Sequence, residues 1–199
     1  MSVRARRRVW EIALAGMLLC TAYLLQLTVL SLLSFNDVIC NLPLVITIIW
    51  GSVFGSPLSM PRPEDVRRSS LSTVLTLQAL SGSLSGALVG AFFGALYSSV
   101  LPIYPICYPI VGWVSGYFCL SSFNQATLLC IPLVLLATAL AETITAAQLY
   151  LMHRPDVLGH LAEIAVAESI LNALIAPFVY FPMRGWFEFS KLRDPAGAQ

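Results

Sequence analysis

The chain is a succession of long apolar runs broken by short polar segments. A helix that crosses a bilayer needs roughly 20 mostly apolar residues, because hydrocarbon offers the backbone no water and only a closed helical ladder satisfies its polar groups locally. The pattern predicts six such spans. The first opens at Trp10 and covers residues 10–34; the second covers 38–54 and is interrupted near its start by Asn41 and Pro43. After a polar loop at 55–70, residues 71–100 carry no charge and form too long a run for one untilted crossing. The first third of that run, with Ser72, Thr73, Thr76 and Gln78, is therefore read as a separate interfacial helix. The fourth span, 103–120, meets Pro102, Pro105 and Pro109 near its start, which removes three backbone donors and leaves a re-entrant course open. The fifth and sixth spans cover 126–151 and 161–183. Omitting the fourth gives the alternative count of five.

Charge decides between the two counts. Lys and Arg in short loops stay on the cytoplasmic side. With six spans, the N-tail (1–9), the 55–70 loop, the 121–125 loop and the C-tail (184–199) share one side, which then holds ten of the eleven basic residues, all but Arg154. Five spans would strand Arg184, Lys191 and Arg193 outside. Trp10, Trp50 and Trp186 fall at the cytoplasmic interface of the six-span arrangement, where an indole is favoured, while Trp113 is expected inside the bundle. Arg4, Arg6, Arg7 and Arg8 ahead of an apolar run resemble a signal peptide, but the run is long and no small-x-small cleavage site closes it, so an uncleaved first helix is expected.

Composition agrees. Of 199 residues 58% are hydrophobic and 11% charged, against about a quarter charged in a soluble domain; the mean hydropathy is +0.82. Disorder, a soluble enzyme and a disulfide mini-protein all fit poorly. The expectation is an all-α polytopic membrane protein forming one integral-membrane domain over 1–199, with both termini cytoplasmic. A net charge of +1 supplies no general attraction to nucleic acid, and none is expected as a partner.

Gly82, Gly86, Gly90 and Gly94 recur every four residues and share one slowly drifting helical stripe, with Gly112 and Gly116 a shorter version in the fourth span. The stripe reads either as internal helix packing, the general use of small residues in lipid, or as a groove for a partner or ligand. Glu142, on one face with Thr138 and Thr145, and Glu168, on one face with Asn172, are the informative polar residues. A hairpin tip near Asp156 puts the two glutamates at a common depth. A carboxylate inside a bilayer costs about 3 kcal/mol on insertion scales, and no Lys or Arg lies in either span. The pair is therefore expected to be protonated or hydrogen-bonded, as an interhelical clamp or as a proton- or ligand-binding site. Glu163, near the outer rim, is expected to be wet.

Catalytic signatures are scarce: no GxSxG, HExxH, Walker or dinucleotide motif occurs. His153, Asp156 and His160 lie in an outer loop without metal-site spacing, so no metal or cofactor is expected. Cys20, Cys40, Cys107, Cys119 and Cys130 are scattered singly and read as small apolar fillers.

Two stretches resemble a known family. Gly86-Ala87-Leu88-Val89-Gly90-Ala91-Phe92-Phe93-Gly94-Ala95-Leu96, with Pro102 and Tyr108-Pro109-Ile110-Val111-Gly112-Trp113-Val114-Ser115-Gly116-Tyr117, resembles the glycine-patterned central helices of the MreD family of rod-shape-determining proteins. The segment from Glu168 through Leu171-Asn172-Ala173-Leu174 to Arg184 is similar to that family's closing helix. The resemblance implies a non-catalytic inner-membrane subunit of the elongasome that binds MreC and supports the peptidoglycan synthase pair of RodA and a class B penicillin-binding protein. It also implies a fold like the six-helix substrate-binding components of energy-coupling-factor transporters, which makes a small-solute-binding transporter component the alternative.

Overall fold

The computed structural model describes the backbone of residues 3–28, 30, 34–35, 38–55, 82–99, 102–119, 127–153 and 158–192. Among these the architecture is all-helical: α1 (Val3–Thr28), α2 (Leu42–Phe54), α3 (Leu84–Leu96), α4 (Tyr104–Ser115), α5 (Cys130–Leu151) and α6 (Leu158–Leu192). Between α1 and α2 stands a two-residue antiparallel ladder, β1 (Ser34–Phe35) with β2 (Val38–Ile39), in which Phe35 faces Val38. Short 3-10 turns continue α4 (Gly116–Cys119) and lead into α5 (Thr127–Leu129).

α2 is the axis of the bundle. It is apolar on every side, and a helix of that kind has to be surrounded; eleven of its thirteen residues are buried. Leu44, Val45, Ile48, Ile49 and Val53 are inaccessible, and all five other helices touch it. α3 packs along α4 in one hairpin and α5 along α6 in another.

The outer faces are as apolar as the core, with Phe178 80%, Leu136 66%, Leu174 64% and Leu88 64% exposed. Among the described residues two helices are long and apolar enough to cross a membrane, Cys130–Leu151 and Glu163–Phe189, each with mean hydropathy 1.8. Only 39% and 33% of those apolar stretches are buried, whereas the core helix of a soluble protein would be covered over most of its length. Two hydroxyls on α5 bond back to their own ladder, Thr143 to Ala139 O (2.7 Å) and Thr145 to Ala141 O (3.0 Å), which removes their need for water.

Several boundaries differ from the sequence expectation. The second span becomes helical only at Leu42, because Asn41 caps the helix and Pro43 occupies its first turn, a position that needs no N–H. At 1.5 Å per residue, α2, α3 and α4 are about 18–20 Å long, short of the roughly 30 Å hydrocarbon layer. α6 runs through Pro177 and Pro182 past the expected end of the span at 183 to Leu192, so residues 184–192 of the expected C-tail are helical. The expected interfacial helix in 71–80 and most of the 55–70 loop lie outside the described residues.

Candidate functional site

The start of α2 poses a local problem. The first N–H groups of a helix have no intrahelical acceptor, and here they sit among apolar helices. Each is accounted for. Leu42 N–H donates to Gln26 Oε1 of α1 at 2.9 Å, Pro43 has none, Leu44 N–H donates to the capping Asn41 Oδ1 at 3.2 Å, and Val45 N–H reaches Asn41 O at 3.0 Å. Gln26 uses its other end as well, donating from Nε2 to Cys40 O at 2.8 Å.

Asn172 of α6, fully buried, completes the arrangement. Its Oδ1 accepts from Asn41 N–H at 2.8 Å and from the Cys40 thiol at 3.2 Å, while its Nδ2 donates to Thr138 Oγ1 of α5 at 3.2 Å. Tyr108 of α4 donates its hydroxyl to Asn41 Oδ1 at 3.0 Å. Three consecutive residues, Cys40 to Leu42, thus gather side chains from α1, α4 and α6, and through Asn172 from α5.

Glu168 lies at the edge of this cluster, beside the side-chain amides of Asn41 and Asn172 and within electrostatic reach of Glu142. The two glutamates and Asn172 are therefore brought together. One carboxyl oxygen of Glu168, Oε1, is buried without a hydrogen-bond partner among the described residues. Glu142 is 9% exposed and lines a mostly apolar groove between α5 and α6. Glu163 is exposed.

The glycine stripe is used within the chain. α3 and α4 run antiparallel in register: a methyl group on Gly86 would strike the Gly112 carbonyl, one on Gly90 the Tyr108 carbonyl, and one on Gly94 the Tyr104 carbonyl. Gly82 lies against the indole of Trp113, and Gly116 against Ser83. Gly51 of α2 also enters this contact, its position leaving no room for a Cβ against Gly112 O and Ser115. Three helices meet at glycine there, and a Cβ at any of the three would force the backbones apart. Ser83 fastens the same corner, capping α3 by accepting from Gly86 N–H at 2.9 Å and donating its own N–H to Trp113 O at 3.1 Å.

Trp50 and Trp186, expected at one interface, touch edge to face with centroids 5.9 Å apart and share Phe54. Among the described residues Cys20, Cys40, Cys107 and Cys130 are free thiols. Two of them do more than fill space: Cys40 bonds Asn172, and Cys107 donates to Ala141 O at 3.7 Å. No group of three or more metal-ligating side chains occurs among the described residues; the 154–157 segment and the His160 side chain lie outside them. Gln26, Tyr108 and Gly51 were not singled out from sequence, and Cys40 was read there only as a filler. The available signal was the Asn41–Pro43 break, which strands backbone donors that some other helix has to meet. Compared with protein-family models, curated proteins and solved structures, the chain matches none.

Proposed function

We propose that the protein is a multi-pass inner-membrane subunit of the cell-elongation machinery, similar to the MreD family and non-catalytic, with six membrane-embedded helices and both termini cytoplasmic. In this reading it binds an MreC-like protein and supports a peptidoglycan synthase pair of the RodA and class B penicillin-binding type. The observation that carries it is the mutual commitment of Gln26, Asn41 and Asn172 around the start of α2, with Glu168 Oε1, unpartnered among the described residues, at its edge. A group that works on a substrate needs unused hydrogen-bonding capacity, whereas Gln26, Asn41 and Asn172 spend theirs joining five helices. Such a bundle suits a scaffold that holds a fixed shape in the bilayer. Its apolar outer faces supply the surface on which membrane partners assemble.

Depletion in the native host, together with copurification of the tagged protein from native membranes, tests this. Loss of rod shape and recovery of an MreC-like protein with cell-wall synthases are expected. Unchanged shape with recovery of an ATPase module would overturn the reading in favour of a small-solute-binding component of an energy-coupling-factor-type transporter.

A further inference from the structure

Between α5 and α6 lies a groove of about 520 Å³. Its walls include the small residues Ala139, Ala146 and Ala165, and its rims are the exposed Leu135, Val166 and Ile170. Three polar side chains line it, Glu142, Thr143 and Ser169. Ser169 is 4% exposed, and its Oγ is buried with no hydrogen-bond partner among the described residues, although Thr143 in the same groove bonds its own ladder. The groups that feel the Glu142 charge, Tyr104, Cys107 and Glu168, include no cation.

We propose that this groove seats a transmembrane helix of another chain, one that carries a lysine or arginine at the depth of Glu142. The small walls admit a helix backbone closely. An ammonium or guanidinium group has donors and no acceptor, so it pairs with the Glu142 carboxyl group. Depth separates this occupant from a lipid. Glu142 stands about 14 Å from the end of α5 at Leu151 and about 18 Å from its start at Cys130, at 1.5 Å per residue. A lipid headgroup remains at the interface and an acyl chain has no donor, whereas a helix holds a side chain at mid-depth by its own register. The inference rests on the membrane-spanning part of the proposed function and is independent of the machinery the protein serves.

The test uses the full-length protein in phosphatidylcholine vesicles with a labelled leucine–alanine transmembrane peptide bearing one central lysine, or leucine at that position, read by energy transfer. The lysine peptide should bind about tenfold more tightly, the size of a strong interhelical polar contact. Glu142→Gln, which keeps the side-chain shape, should bring the preference below about twofold, and Ala165→Phe, which fills the groove, should weaken both peptides. Equal binding of the two peptides to the wild type, or a preference that survives Glu142→Gln, overturns the proposal. So does exclusion of both peptides, which is the outcome for a groove occupied by lipid. Release of the native protein from membranes by alkaline carbonate would instead refute the membrane reading itself, and normal peptide selectivity without any effect on cell shape would refute only the elongation role.

Discussion

Replacing Asn172 with leucine removes the acceptor on which the start of α2 depends while keeping the number of side-chain heavy atoms, so no cavity is created. The Asn41 N–H, now bonded at 2.8 Å, would be left in an apolar interior, at a cost of about 1–3 kcal/mol for an orphaned buried donor. The Asn172–Thr138 bond at 3.2 Å is lost as well, adding about 0.6 kcal/mol, the average for interhelical hydrogen bonds in membranes. The Cys40 thiol is a weak donor and adds little. The expected loss is about 2–3 kcal/mol, which for a chain of this size lowers the melting temperature by about 5–10 °C. Thr138→Val removes only the second of these bonds and should cost about 0.6 kcal/mol. Heating the detergent-purified variants and measuring the fraction that remains folded by circular dichroism separates the two. An Asn172→Leu protein as stable as the wild type, or a Thr138→Val loss of equal size, would refute the view that the α2 terminus is the group being satisfied.

Gly86→Ala and Gly112→Ala place a methyl group against the opposing helix's carbonyl and should each destabilise by about 1–3 kcal/mol, whereas Gly16→Ala and Gly185→Ala, with nothing within 4 Å, should be neutral or slightly stabilising in the same melting experiment. Tyr108→Phe leaves Asn41 Oδ1 still bonded to Leu44 N–H, so it should cost about 1 kcal/mol at most by melting. Glu168→Gln should preserve shape complementation at equal membrane abundance, because the amide keeps the hydrogen-bonding capacity beside Asn41 and Asn172, while Glu168→Leu should weaken packing by about 1 kcal/mol. Reporter fusions at Ser69 and after Gln199 should read cytoplasmic and one at Pro155 external; an external C-terminus would reject the six-span topology.

Much of the bundle was legible one residue at a time. Apolar runs long enough to be helices, the interruption at Asn41 and Pro43, the four-residue period of the glycines and the common depth of Glu142 and Glu168 all follow from composition and spacing along a single helix. Length misled where local chemistry ended a helix early: hydropathy carried the second span back to Val38, but the Asn41 cap starts α2 at Leu42. Likewise the apolar run of the sixth span stopped at 183, yet α6 continues to Leu192 because a helix boundary is set by backbone bonding rather than by hydropathy. What only the tertiary structure decided is who meets whom. The glycine stripe is equally suited to α4 or to another chain until the rotation of α3 is known, and Gly51 gains its meaning only where α2 meets α4. Asn41 and Asn172 are 131 residues apart in sequence. Their pairing cannot be read from spacing, because an apolar environment dictates that each polar group find a partner but leaves the choice of partner to the arrangement of the helices.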